Sequence, residues 1–574
     1  MFDTLPEDIQ AFMEWRWEKI QPFAEDLTRR ELTAEALHNW LSDWAILSNY
    51  IQESFTRLEI RTTTHTTDDV NHQRYKAYSE GIMPPFRSFE NNMKQKLLES
   101  GLEPDHFAVP LRKLRTDAAI FREDNLPIQT DIERLGTEFS KIAGARTVDW
   151  DGEELTSTQM YAKLTETDRD VRERAWRMLS IRAQKDRQAI DEIWIQLIDL
   201  RQQLAVNADY EDYRTFRWQE LGRFDYTPED CKTFHEAIEK YVVPAAARMS
   251  DRRKTRLGLD TLRVWDDFWF YRPDGSNKPP LRPYQSIEEL NETIEGIFTQ
   301  VDPELGSYYH LMREEKLLDL ESRKHKTGGA YMAEFPVTGR PFIFANAVGT
   351  HADVQTQLHE GGHAFHMFEA SHWPYRHQAS LEHIPMEFLE VGSMAMELLA
   401  APYLAKEKGG FYSEEEAARA FVGLLEDNLG FWPYMTVVDA FQHWIYEHPE
   451  TAKDTTACDD VWEKLHRRYL PHLDWTGIED TLRFFWRQQA HILGSPFYYI
   501  EYGLALLGAT QVWANALNDQ AGAVQAYRKA LQLGGTASLP ELYETAGARF
   551  TFDASVLPQM VALIESTINQ LEAV

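Results

Sequence analysis

Cysteine is nearly missing from this 574-residue chain, which carries only Cys231 and Cys458. Two thiols make no disulfide framework, which excludes a small stapled scaffold and fits a reducing compartment. Basic residues are also in deficit: 60 Lys and Arg stand against 92 Asp and Glu, a net charge of −32. Nucleic-acid binding rests on cations that neutralise phosphates, so this balance argues against nucleic acid as a partner. It argues equally against an anionic membrane surface. The usual consequence of such charge is solubility. No apolar run reaches the length of a membrane span. The opening MFDTLPEDIQ lacks the basic-then-apolar layout of a secretory leader, so the expected location is the cytoplasm. Repeats of fixed period and low-complexity tracts are lacking as well.

The residues that are present describe an ordinary globular chain, 43% hydrophobic and 26% charged, with 17 Trp for a large core. Apolar residues recur at three-to-four spacing over 6–60, 66–104 and 128–205, which predicts helix there. Pro and Gly cluster at 272–284, a loop. Strands are expected at Pro341–Val348 (PFIFANAV), after the turn Thr338-Gly339-Arg340, and at Leu259–Phe270. The expectation is a mainly α protein with a small sheet.

One segment carries chemistry. Thr350–Ala370 reads THADVQTQLHEGGHAFHMFEA. Thr350 and Asp353 stand as in a capping box that opens a helix. Within that helix His359 and His363 are four apart, so one turn brings both imidazoles to one face. That suits two nitrogen ligands of a single tetrahedral zinc. Glu360 follows the first ligand, where it can serve a water as general base. Gly361 and Gly362 sit mid-helix at about 1 kcal/mol each relative to Ala. This implies that substrate or a neighbouring strand comes close to the backbone there.

A catalytic zinc needs a third protein ligand and an open position. Glu369, His372, His377, Glu382, His383, Glu387 and Glu390 all follow closely. An astacin-like third ligand would need His at 369 and Gly at 366, where this chain has Glu369 and His366. The run Met386–Ala401 reads as a second buried helix, with Pro385 suited to its first turn. Glu390, Ser393 and Glu397 share a face of it, a plausible ligand with supporting groups.

These residues resemble a known family. HEGGHAFH followed by FLEVGSMAMELL is similar to the zinc motif and following E-x-x-S helix of the thimet oligopeptidase and oligoendopeptidase F family. HADVQTQLHE resembles the helix leading into that motif. The segment Asp319–Tyr331 is similar to its D…K…GAY stretch, and PFIFAN occupies the position of its substrate-pairing strand. HILGSPFYYIEYGLA resembles its His and Tyr-rich segment, and LPELYETAGARF its C-terminal helix and turn. VDWDGEELTSTQMYAKLTETDRDVRERAW, within 115–200, is similar to the N-terminal domain of the oligoendopeptidase F branch.

The resemblance implies a mainly helical, two-lobed channel fold with a small β-sheet beside the H-E-x-x-H helix. The resemblance covers roughly 115–560 and implies a helical domain over 115–200 and a zinc peptidase catalytic domain over 201–574, while the periodicity before it gives an N-terminal helical region over 1–114. The resemblance makes His359, His363 and Glu390 the ligands of one Zn²⁺ and Glu360 the base. His491, Tyr498 and Tyr502 fall in the substrate and oxyanion segment, with Tyr499 a rival because the Tyr spacing departs by one residue from the thimet branch. Phe344, Ala345 and Asn346 would hold extended substrate by main-chain hydrogen bonds. The implied activity is cleavage of internal bonds in short peptides, with folded proteins excluded. Related chemistry, a zinc carboxypeptidase or peptidyl-dipeptidase, is the alternative and would need a group that captures a terminal carboxylate. A binding protein with a structural zinc is the other, and the retained Glu360 argues against it, since only catalysis requires that residue.

Overall fold

Apolar periodicity becomes helix along most of the chain. The computed structural model describes residues 1–267 and 278–572. The N-terminal stretch resolves into Trp17–Arg29, Leu37–Thr64, Asp69–Gly81 and Met83–Ser100. Trp40, Trp44, Leu47, Ile51 and Leu58 recur at three-, four- and seven-residue steps and form one buried face of Leu37–Thr64. They share an apolar cluster with Phe86, Phe89, Met93 and Leu97 of Met83–Ser100. Gly101, at φ +67°, ends that helix in the left-handed conformation that glycine adopts without penalty.

Among the described residues there are five short strands: β1 (Thr147–Trp150), β2 (Glu153–Thr156), β3 (Leu318–Glu321), β4 (Tyr331–Phe335) and β5 (Arg340–Ala347). β1 and β2 form a hairpin that interrupts the helix expected over 128–205. Asp151 and Gly152 both have positive φ at its turn. An Asp-Gly pair between alternating residues is the sequence signal for such a turn, and the surrounding helical periodicity obscured it. The strand expected at Leu259–Phe270 does not form in its described part, 259–267, where Val264–Asp266 is a single 3₁₀ turn. The buried Asp266 carboxylate draws the chain around itself. It takes ion pairs from Arg169 and Arg172 and a hydrogen bond from the Arg263 amide. Residues 268–270 lie outside the described residues.

The chain divides into two compact units. The first comprises Met1–Ala119, Leu281–Ala417 and Gly508–Phe550. The second comprises Ile120–Pro280, Ala418–Leu507 and Thr551–Val574. In the first unit the strand order is β3-β5-β4, with β3 parallel and β4 antiparallel to β5. The buried ammonium of Lys326 ties this sheet together, donating to Asp319 Oδ1 on β3 at 2.9 Å and to the Ala345 carbonyl on β5 at 2.6 Å. β5 leads directly into the helix His351–Ala370, whose start is fixed by Asp353 accepting from the Thr350 amide at 2.7 Å.

Candidate metal centre

The helix His351–Ala370 lies against the helix Met386–Ala400 at Gly362. A Cβ on Gly362 would stand 2.6 Å from both the Gly392 carbonyl oxygen and Ser393 Cα. A Cβ on Gly361 would stand 2.5 Å from the Phe298 ring. The mid-helix glycines therefore admit a neighbouring helix and a core ring, not the substrate or strand expected from the sequence. Without side chains there, the two backbones come close enough for residues one turn away to share a ligand.

His359 and His363 present their rings 5.0 Å apart. Glu390, from the second helix, places Oε2 3.5 Å from His359 Nε2 and 3.8 Å from His363 Nε2. Tetrahedral zinc with bonds of about 2.0–2.1 Å holds its donors about 3.4 Å apart, so this triangle is nearly the size the ion needs. Supporting bonds aim the donors. Glu397 Oε1 holds His359 Nδ1 at 2.8 Å, which leaves Nε2 for a metal. Ser393 donates to Glu390 Oε2 at 3.0 Å. Glu390, Ser393 and Glu397 thus share a face on which one residue is a candidate ligand and the other two bond to candidate ligands.

The electrostatics ask for a cation. Burial pushes the His359 imidazole down, but its bond to Glu397 and the charges of Glu397, Glu390 and Glu360 outweigh that and raise it to about 9. Burial raises the Glu360 carboxyl to about 7, against the opposing pull of His359. Burial and the neighbouring His359 push His363 down. Buried carboxylates gathered around two imidazoles need a positive partner, so the residues present fit a divalent metal. Glu360 itself takes a hydrogen bond from the backbone of Met332 on β4.

The rival third ligands are otherwise engaged. Glu369 is held by Arg528 and Gln532, each at 2.6 Å. Glu382 pairs with Arg376, and the rings of His377 and His383 stack 4.8 Å apart. His372 Nδ1 meets the Glu369 carbonyl. Glu387 is buried but stands outside the His359, His363 and Glu390 donor set.

The strand expected to pair with substrate lies inside its sheet. β5 is the middle strand, bonded to β4 over Arg340–Phe344 and to β3 on its other side. Phe344 and Ala345 are buried, the Ala345 carbonyl accepts from Lys326, and Asn346 donates to the Thr327 and Gly329 carbonyls. The ladder to β4 stops at Phe344. The edge strands are β3 and β4, and β4 is the one whose backbone reaches Glu360.

His491, Tyr498, Tyr499 and Tyr502 gather in the second unit. The His491 ring lies 5.5, 5.0 and 6.3 Å from the Tyr498, Tyr499 and Tyr502 rings respectively. Tyr499 is buried, and its hydroxyl accepts from Gln489 at 3.0 Å. Tyr498 and Tyr502 are half-buried, one turn apart at the start of the helix Tyr499–Ala516. Just before them Phe497 is held at φ +67°, a left-handed conformation that costs a bulky residue about 1–3 kcal/mol. Buried Arg223 fixes this elbow by donating to the Phe497 carbonyl and, at 2.7 Å, to Glu501. The Phe497 amide donates to Gln442 Oε1. Sequence reasoning missed Arg223, Gln442 and Gln489, because no motif marks a residue whose partner is set by tertiary packing, 274 positions away for Arg223.

The description of Peptidase family M3 matches residues 163–562. This chain belongs to peptidase family M3. It is therefore a metalloendopeptidase. A solved structure of PZ peptidase A with an inhibitor is 26% identical to this peptidase, covers 99% of each chain and has a TM-score of 0.86. A candidate oligoendopeptidase F, also 26% identical, covers 100% of this chain and 99% of its own, with a TM-score of 0.85. A candidate oligoendopeptidase F from Bacillus anthracis shares the fold at 23% identity and a TM-score of 0.81, covering 98% of this chain and 97% of its own. A comparison with the curated proteins finds no match. The mainly helical fold with a small sheet beside the H-E-x-x-H helix is as the sequence implied. Among the described residues, no helix is long and apolar enough to cross a membrane.

Proposed function

We propose that the peptidase is a zinc-dependent oligoendopeptidase that hydrolyses internal bonds of short peptides. The observation that carries this reading is the donor set of His359, His363 and Glu390, all within 4.8 Å of one another, with Glu360 beside it. His359 and His363 through their imidazoles and Glu390 through its carboxylate would hold the ion. When bound, zinc supplies Lewis acidity and lowers the pKa of a water from about 15.7 to about 7. Glu360 accepts the proton that this water loses as its oxygen bonds to the scissile carbonyl carbon. As the C–N bond breaks, Glu360 returns that proton to the leaving nitrogen. Tyr498, Tyr502 and His491 are the candidate donors to the oxyanion, with Tyr499 ranked behind them because Gln489 already engages its hydroxyl. The edge strand β4 would take an extended peptide by main-chain bonds, which tolerate many sequences. The expected setting is the cytoplasm.

The test is digestion of a mixed library of short peptides, some blocked at the C-terminus, with and without a chelator, read by mass spectrometry. Internal cleavage of blocked peptides, abolished by the chelator and restored by zinc, is the expected result. Cleavage confined to free C-termini would replace this reading with a carboxypeptidase or peptidyl-dipeptidase.

A further inference from the structure

A second donor set lies wholly within the second unit. Cys231 and His235 are four residues apart on the helix Pro228–Arg256, and Asp439 and His443 are four apart on the helix Glu414–Glu447. One turn separates the members of each pair, so each helix offers two donors on one face. The helices run antiparallel, joined by His235–Asp439 towards one end and Arg253–Glu426 towards the other. Metal sites in helical proteins are commonly built this way, from side chains on facing helices.

Cys231, Asp439 and His443 bring a sulfur, an oxygen and a nitrogen within 4.8 Å of one another. Their exposures are 0, 0 and 2%. One polar atom has no other use, since Asp439 Oδ1 is buried without a hydrogen-bond partner, and His443 Nε2 has only the Asp439 carboxylate, with Oδ2 at 3.3 Å. Leaving a carboxylate oxygen so in a dry interior is costly, and a buried polar group in a native fold is normally satisfied. The second carboxylate oxygen, Oδ2, is held by His235 Nε2 at 2.8 Å, as a group that orients a ligand would hold it. One contact is neutral to the idea: Arg214 lies 3.4 Å from His443 Nδ1, the outer limit of a hydrogen bond, and pairs more closely with Glu447. A cavity of about 240 Å³, lined by His235 and His443 with Glu236, Glu447, Lys232 and Arg468, reaches one ligand and the positioning residue.

We propose that Cys231, Asp439 and His443 bind a second divalent transition metal, of the zinc class, with His235 as the positioning residue for Asp439. Thiolate, imidazole and carboxylate together suit zinc or cobalt, whereas calcium and magnesium take oxygen ligands alone. The site shares no residue with the His359, His363 and Glu390 set, so either can fail without the other.

Cobalt distinguishes the two, because a thiolate ligand adds a charge-transfer absorption in the near ultraviolet that imidazole and carboxylate do not. The full chain is stripped, reloaded with Co²⁺ and dialysed against a weak chelator. Two equivalents of metal per chain and a near-ultraviolet thiolate band are expected. His359→Ala should lose one equivalent and keep the band. Cys231→Ser, with a native circular dichroism spectrum, should lose the other equivalent and the band, and Cys458→Ser should lose neither. The measurement on the unsubstituted chain does not depend on any variant folding. One equivalent per chain, two equivalents without the thiolate band, or a band that survives Cys231→Ser would each overturn the proposal.

Discussion

Replacing Gly362 by Ala tests whether the metal centre depends on the close approach of two helices. The new methyl carbon would stand 2.6 Å from the Gly392 carbonyl oxygen and from Ser393 Cα, whereas ordinary contact begins at 3.4 Å. Both are backbone atoms, so no rotamer can relieve the clash. The helix Met386–Ala400 must shift by roughly 0.8 Å, the difference between those distances. Glu390 lies one turn from the clash and moves with that helix, which opens the 3.5 and 3.8 Å separations from His359 and His363. Overpacking of this kind costs about 1–3 kcal/mol, partly offset by about 1 kcal/mol from the better helix propensity of Ala. Misplacement by about 1 Å at a reacting centre can cost about 10²-fold in rate. Zinc affinity by chelator competition, kcat/KM on a short peptide and the urea midpoint should be measured on one preparation. Gly361→Ala is the control, because its methyl would meet the side-chain ring of Phe298 and leave the ligand helix in place. Equal zinc affinity in Gly362→Ala and the unsubstituted chain, with kcat/KM within about threefold, would show that the glycine contact does not set the site.

Other substitutions separate the roles proposed at the centre. Glu360→Gln should keep zinc and lose about 10²–10⁴-fold in kcat, as expected of a general base, with metal content and turnover read on the same sample. Glu390→Ala should lose zinc and Glu387→Ala should retain it, while Glu397→Ala, which frees His359 Nδ1, should weaken zinc by about 10–100-fold in a titration. Tyr498→Phe or Tyr502→Phe should lower kcat by about 10²–10³-fold, whereas Tyr499→Phe gives up the bond from Gln489 and should cost about 1 kcal/mol in unfolding with kcat little changed. Unfolding should also respond to acid through His466, which burial, with His472 and Arg467 nearby, holds at about 3. Its folded value is depressed below the ordinary value of 6.5, so the stability it protects is complete above about pH 6.5. That stability falls, by up to about 1.4 kcal/mol per pH unit, as the pH drops towards 3. Urea midpoints at pH 7 and pH 4.5 should therefore drop further in the unsubstituted chain than in His466→Gln, and equal drops would refute the assignment.

Local geometry explains what could be read from the sequence. His359, Glu360 and His363 lie within five positions on one helix, and Glu390, Ser393 and Glu397 within eight on another, so helical pitch alone decides which share a face. The helical character of the fold follows from the same periodicity. Pairing between distant segments is different, because it depends on which backbones the tertiary structure brings side by side. PFIFAN is a strand by composition, but its place in the middle of β3-β5-β4 comes from two partners outside it, and so does the edge position of β4. Gly361 and Gly362 announce a close approach without naming Phe298 or Gly392 as the neighbours. Each compact unit is assembled from three separated segments, which no local pattern reveals. Cys231 and Asp439 are 208 positions apart, and only the packing of two antiparallel helices sets sulfur, imidazole and carboxylate around one point. Short-range order is written in the pitch of the helix; long-range contact is settled when whole apolar faces find each other.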